Sequence, residues 1–391
     1  MLEWLIIGGG VHGTHLSHVL VNLVGVERDR VVVLDPCEEP LGRWKDCTAQ
    51  TGMSHLRSPV VHHIGLTPME LLDFSRTSKG REFDGFRPPY DRPSLGLFEA
   101  HCEHVCESGG LREIRETGWA TDLRRDEAGG FCVETDQGPL KSRRVILAMG
   151  SGNRPCWPEW AGELKETGGR VWHIFDEEFE KENLAEGDRI AIVGLGISAA
   201  QLAVSLSQRR EAGVTVIGRH PVKVNQFDSE PCWLGPKCQS GFRKLTSYRK
   251  RRRAIEEARH RGSMPQDVAL PFKERVRCGG IEHLIGQVER AEVSSGGEIT
   301  IELQAGEKVA VDSVVLATGF GSVRPDQGWL SEAIERLGLR CAECGYPIVD
   351  EALQWTEGLH VSGPLAELEL GPAARNIAGA RMTGRRILSV I

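Results

Sequence analysis

Apolar residues in this chain fall in short continuous runs that stop at small residues, and the arrangement recurs. Leu2-Glu3-Trp4-Leu5-Ile6-Ile7 breaks into Gly8-Gly9-Gly10-Val11-His12-Gly13, and Val31-Val32-Val33-Leu34 stops at Asp35-Pro36. Val145 to Met149 stops at Gly150. The design then repeats: Ile190 to Val193 breaks into Gly194-Leu195-Gly196-Ile197-Ser198-Ala199, Val214 to Ile217 stops at Gly218-Arg219, and Val314 to Thr318 stops at Gly319. Runs with no polar alternation predict parallel strands covered on both faces, and the glycine-broken ones predict strand–turn–helix units. Helical periodicity marks Pro68 to Thr77 and Pro93 to Glu107, each with a proline near its start, where a missing N–H costs little. The dense Pro, Gly and Ser of Pro40 to Trp44 and of Gly52 to Pro59 predict irregular loops after the first unit. Ser151-Gly152-Asn153-Arg154-Pro155 reads as a rigid connector between domains.

Gly8-x-Gly10-x-x-Gly13 has a physical reading at each glycine. Gly8 makes the tight turn, Gly10 lets backbone approach a pyrophosphate, Gly13 lets helix pack on strand, and the helix amides face the anion. His12 and Pro36 count with the nucleotide contacts of this first site. Asp35 ends the next strand, where an acid accepts hydrogen bonds from ribose hydroxyls. In the second unit Gly194, Gly196 and Ser198 form the turn, and Ala199 takes the third-glycine place. Its following strand ends in Gly218 and Arg219, which removes the acid and supplies a donor for a 2′-phosphate. The first turn is therefore expected to hold FAD and the second NADPH. Gly150 and Gly319 end the two strands that close against the nucleotides. Trp44, Met53 and Arg57 are the candidates for the wall around the reactive ring, and so for the catalytic environment.

Composition narrows the setting. At 391 residues, with 40% hydrophobic and 26% charged residues, the chain is ordinary globular protein with room for two domains. A net charge of −7 gives no global attraction to nucleic acid or to an anionic membrane. The apolar run after Met1 lacks a basic flank and is too short for a signal segment or a membrane span. Eleven cysteines without a secretory signal read as mostly reduced thiols, and the expected location is the cytoplasm.

Other clusters compete for a role. His101 with His104, and Cys102 with Cys106, lie on two different faces of one helix, which favours ordinary helix residues over a metal site. Arg249, Lys250, Arg251, Arg252 and Arg253 make Tyr248 to Arg261 a basic helix; with Glu256 and Glu257 in helical reach, a solvated, self-paired face is expected ahead of a polyanion surface. Cys341-Ala342-Glu343-Cys344 is the one motif that points to disulfide chemistry. Zinc held by that pair with Cys232 and Cys238 is weighed against it, and no metal is expected.

With both turns and both closing strands in place, the sequence resembles the two-dinucleotide-binding flavoproteins. Within them it is similar to the flavin-dependent monooxygenases, in particular the siderophore-type N-hydroxylating and the flavin-containing monooxygenases. The resemblance runs through Leu359-His360-Val361-Ser362-Gly363-Pro364, which in such proteins returns to the flavin, and the helix near Ala374-Arg375-Asn376-Ile377, which closes the FAD site. From the Phe-x-Gly-x-x-x-His signature of the flavin-containing enzymes the chain departs: Gly169 and His173 hold the last two places, while Thr167 replaces the phenylalanine. The resemblance implies an α/β fold of two Rossmann-like dinucleotide-binding domains, the NADPH domain (156–310) inserted into an FAD domain (1–155 and 311–391). It also implies a single-component monooxygenase that passes oxygen from dioxygen, through a C4a-hydroperoxyflavin, to an amine nitrogen or sulfur of a small molecule. An NAD(P)H-dependent reductase of a disulfide or quinone, and a flavin-bound partner protein without turnover, are the alternatives. A homo-oligomer is compatible with the sequence.

Overall fold

The computed structural model describes residues 1–150, 154–209, 213–321, 323–326 and 328–391. The connector Ser151-Gly152-Asn153 therefore lies outside the described residues. The chain opens with β1 (Leu2–Ile7), turns at Gly8–Gly10 and enters α1 (Val11–His18). It continues through β2 (Val31–Asp35), α2 (Gly42–Thr51), α3 (Leu95–Ser108), β3 (Arg115–Thr117), the hairpin β4 (Ala120–Arg125) and β5 (Phe131–Thr135), and β6 (Leu140–Leu147). The second unit holds β7 (Val171–His173), β8 (Ile190–Val193), α4 (Ile197–Arg209), β9 (Val214–Gly218), α5 (Tyr248–Ala258), β10 (Glu282–Ile285) and β11 (Ser313–Leu316). The chain returns through α6 (Trp329–Leu337), β12 (Gln354–Thr356), β13 (Leu359–Val361), the short α7 (Glu367–Leu370) and α8 (Ile377–Ile387).

Two sheets result. The first runs β12-β13-β6-β1-β2-β3 with the β4–β5 hairpin attached to β6; the second runs β10-β9-β8-β11-β7 and is parallel throughout. Both faces of each central strand are covered, which is why these strands read as unbroken apolar runs. Trp4 and Ile6 enter a core shared with α1 and α3, whereas Leu5 and Ile7 face the core built with the β4–β5 hairpin and α6. In β8, Ile190 and Ile192 face α4, and Ala191 and Val193 face the opposite core.

The architecture is thus the α/β pair of dinucleotide-binding units expected, the second interrupting the first: β13 pairs with β6 across the whole inserted unit. The second sheet extends to Leu316 and not to 310, because Ser313–Leu316 pairs with β8 and β7. The helix expected over Pro93 to Glu107 is α3, capped by Ser94, whose hydroxyl accepts from the Leu97 N–H.

The basic helix differs from expectation. Only Arg253 pairs with Glu257 as a solvated i,i+4 couple. Arg251 and Arg252 turn inward onto the return segment: Arg251 reaches Glu369 at 2.7 Å and the Leu368 carbonyl at 2.8 Å, and Arg252 pairs with Glu367 and stacks 3.9 Å over the Tyr346 ring. This face of α5 is a domain-docking surface. Cys232 and Cys238 form a disulfide, which removes them from any zinc site and from the count of free thiols. The turn at Pro231–Leu234 leading into the helix Pro236–Arg243 brings their Cα atoms to 5.3 Å.

Candidate dinucleotide sites

The two glycine turns are the same construction. Gly8 (φ +106°) donates its N–H to the Leu34 carbonyl, and a Cβ there would sit 2.6 Å from the Ala148 carbonyl oxygen. Gly194 (φ +128°) donates to the Ile217 carbonyl and would clash with Ala317 oxygen at 2.3 Å. In each unit the strand that ends at Gly150 or Gly319 passes directly behind the turn, so both the left-handed backbone and the close approach demand glycine. Gly13 fits its predicted role: a Cβ would lie 1.7 Å from the Gly8 carbonyl oxygen. The corresponding Ala199 is fully buried against the second core. Gly10 has open space where a Cβ would be, and Gly196 has only Gly262 within reach, so both turns leave backbone bare toward the outside of the sheet edge. That is the cradle a pyrophosphate requires.

Asp35 lies at the end of β2, and its carboxylate holds the turn itself. One oxygen accepts from the Gly9 N–H at 2.5 Å and the other from the Cys37 N–H at 2.9 Å. Arg115 stands 3.8 Å away and donates to the carbonyls of Cys37, Glu38 and Glu39. Sequence reasoning missed Arg115, for which no local signal exists. Pro36 is exposed beside Asp35. At the second turn Ser198 is half-buried in the first helical turn of α4, and Arg219 is exposed just past β9, with no hydrogen bond or ion pair to another described residue.

The return segment meets the first turn through His12. Its Nδ1 lies 2.8 Å from Ser362 Oγ and its Nε2 3.1 Å from the Asn376 carbonyl, next to Gly363 (φ +62°) and to Ile377 at the start of α8. Burial pushes the imidazole down to about 4, against a smaller upward pull from the Asn376 carbonyl, so His12 is neutral.

Of the proposed ring wall, Trp44 and Met53 pack on the same core, Trp44 with its ring 5.5 Å from Phe98. Arg57 goes elsewhere. It donates to the carbonyls of Asn225 (2.8 Å), Gln226 (3.0 Å) and Phe227 (2.7 Å) and to Ser263 Oγ (2.9 Å), clamping its loop to the inserted unit. Arg43 makes a second tie, to the Phe175 carbonyl. Between the units lies a cleft of about 1010 Å³ lined in part by Arg43, Trp119, Arg154, Phe175, Asp326 and Trp329. No residue of either glycine turn lines it.

Apart from the exposed His104, the His and Cys cluster on α3 is core. His101 is fully buried against His63 (5.0 Å) and Phe74 (5.6 Å), His104 stacks on Phe74, and Cys102 and Cys106 are buried. Among the described residues no group of three or more His, Cys, Asp or Glu could hold a metal ion, and no helix is long and apolar enough to cross a membrane. Cys341 and Cys344 are free thiols.

Comparison with known proteins agrees with this geometry. A family model described as FAD-NAD(P)-binding matches residues 5–152, and one described as pyridine nucleotide-disulphide oxidoreductase matches 104–261. An uncharacterized CzcO-like oxidoreductase of Geobacillus kaustophilus is 29% identical over 86 residues, which is 22% of this chain and 24% of that protein. Among solved structures, the FAD-bound cadaverine monooxygenase of desferrioxamine biosynthesis from Erwinia amylovora has a TM-score of 0.77 at 15% identity, over 99% of this chain and 94% of that one. The ornithine N-hydroxylase of Kutzneria sp. 744 has a TM-score of 0.76 at 15% identity, over 100% and 98%. Paired turns, an interrupted first sheet and these matches together give the chain the fold of the two-dinucleotide-binding flavoproteins.

Proposed function

We propose that this chain is an FAD- and NADPH-dependent oxidoreductase, a single-component monooxygenase acting on an amine nitrogen or sulfur of a small molecule. The observation that carries the reading is the equivalence of the two turns, Gly8 behind Ala148 and Gly194 behind Ala317. Each leaves an open backbone cradle in one chain, which suits a hydride donor and its acceptor. The two solved relatives named above act, by their descriptions, on cadaverine and ornithine, both amines, which supports a nitrogen nucleophile. A cytoplasmic setting suits the use of NADPH.

The bare backbone at Gly8 and Gly10 and the first amides of α1 would hold the FAD pyrophosphate, with the free lone pairs of Asp35 toward the ribose. Gly150, Gly363, Asn376 and Ile377 would bound the ring end. Gly194, Gly196 and Ser198 would hold the NADPH pyrophosphate, Arg219 its 2′-phosphate, and Gly319 would pass behind it. FAD, once bound, supplies hydride acceptance and dioxygen activation; the protein supplies orientation and a dry site. Trp44 on α2 and Met53 just after that helix would exclude water on one side, next to the loop that Arg57 fixes to the second unit.

The test is anaerobic reduction with NADPH followed by an oxygen pulse in stopped flow. The expected result is a transient flavin spectrum distinct from the oxidised and reduced forms. Direct return to oxidised flavin, with turnover only when a disulfide or quinone is added, would overturn the reading. The half-buried Cys232–Cys238 disulfide, in place of Cys341 and Cys344, is the observation that favours that second possibility.

Arg219→Ala is expected to raise KM for NADPH about 10- to 100-fold, the loss of one charge-assisted phosphate contact worth about 1.5–3 kcal/mol. KM for NADH should stay unchanged. Equal loss for both coenzymes would show that Arg219 does not read the 2′-phosphate.

A further inference from the structure

His12 occupies one of the places in the glycine turn that the turn itself does not reserve for glycine, and both of its ring nitrogens have polar partners. Its two ring nitrogens reach two segments more than 300 residues away along the chain, Ser362 and Asn376. The Asn376 carbonyl can only accept, so Nε2 carries the proton and donates, and Nδ1 is left to accept the Ser362 hydroxyl. With the Ser362 hydrogen given to Nδ1, the Thr383 hydroxyl, 3.2 Å from Ser362 Oγ, is the donor in that contact and continues the chain into α8. The Asn376 carbonyl also accepts from the Gly379 N–H at 2.8 Å, which makes it the first turn of α8 that His12 grips. Asn376 makes no side-chain cap bond to α8, and the imidazole holds the start of the helix through the Asn376 carbonyl alone.

We propose that His12, as its neutral Nε2–H tautomer, is a positioning residue that locks the amide ends of α1 and α8 into one rigid frame around the flavin. The inference rests on the reading that the first turn holds FAD. A purely space-filling residue at this place would need no polar atoms, whereas here both nitrogens are used.

The experiment measures FAD dissociation constants by flavin fluorescence, and the flavin midpoint potential, for the wild type, His12→Ala, His12→Gln and Ser362→Ala. The apo proteins are compared by thermal melting. His12→Ala is expected to weaken FAD at least 10-fold and to shift the flavin potential while the apo melting temperature moves little. His12→Gln retains an N–H at the Nε2 position and is expected to recover FAD affinity to within about 3-fold of wild type. Ser362→Ala, which leaves α1 untouched, should weaken FAD in the same direction and serves as the reading if His12→Ala does not fold. Wild-type affinity and potential in both His12→Ala and Ser362→Ala would overturn the proposal, and so would His12→Gln as weak as His12→Ala. A wild-type protein that fails to bind FAD at all would instead overturn the assignment of the first turn.

Discussion

Replacing Glu367 with alanine is expected to cost about 3–5 kcal/mol of stability, the range found when one partner of a buried ion pair is removed. Glu367 is fully buried on α7 and is held by Arg375 through contacts of 2.6 and 2.9 Å, by Arg252 of the inserted unit, and more distantly by Arg259 at 3.8 Å. Burial alone would raise its pKa, yet Arg375 and Arg252 outweigh this and hold the carboxyl below the usual range, so it is charged in the fold. Alanine leaves guanidiniums facing one another without a counter-charge. Because Arg252 belongs to the insertion and Glu367 to the return segment, the same change loosens the docking of α5 to the contacts of Arg251 with Glu369 and Leu368, and NADPH-driven flavin reduction should slow with it. Urea denaturation checks the first effect and stopped-flow reduction the second. Arg253→Ala, in the solvated pair with Glu257, is the control and should change neither. A Glu367→Ala protein as stable as the control would show that α5 is not anchored through this carboxylate.

The same network marks where the sequence stops being readable. The glycine turns were legible because their demands are local: a left-handed φ at Gly8 and Gly194, and a contact at Gly13 too close for any Cβ, restrict the residue type at fixed spacing. The apolar strands were legible because covering both faces removes polar alternation. The docking of α5 was not, since Arg252 and Glu367 stand 115 residues apart and Glu256 and Glu257 offered nearer partners. Arg253 took the local partner; its neighbours took distant ones. Arg57 is a parallel case, for three of its four acceptors are backbone carbonyls, which carry no residue signature. The disulfide needed a turn and a helix to bring Cys232 to Cys238, and from the sequence the two read only as reduced thiols or as ligands of a possible zinc site. His12 was marked by its place in the turn, but its contacts depend on how the return segment closes.

Lowering the pH from 7.5 to 5 is expected to unfold the protein at a temperature where it is otherwise stable, because several histidines are folded in as neutral groups. Burial is the leading cause in each: it pushes His15 and His101 down to about 3, and His63 and His173 to about 4, from the ordinary 6.5. All four are buried, and His101 has neither ring nitrogen hydrogen-bonded among the described residues, its only nearby carboxylate being Glu70 at 3.8 Å. The unfolded chain binds protons below about pH 6.5 while the fold refuses them until about 4 or 3, so stability is complete above 6.5 and falls continuously as pH drops through that window. At pH 5 each group would contribute up to about 2 kcal/mol of loss, and the four together up to about 8 kcal/mol, comparable with the whole stability of a typical domain. Thermal melts between pH 7.5 and 5 should show a steep fall beginning near 6.5, and His101→Phe, which packs in the same apolar surroundings without a titrating group, should make the fall shallower. A melting temperature flat across that range would mean that the buried imidazoles gain protons in the fold as easily as in the unfolded chain, and that water reaches the core between α1 and α3.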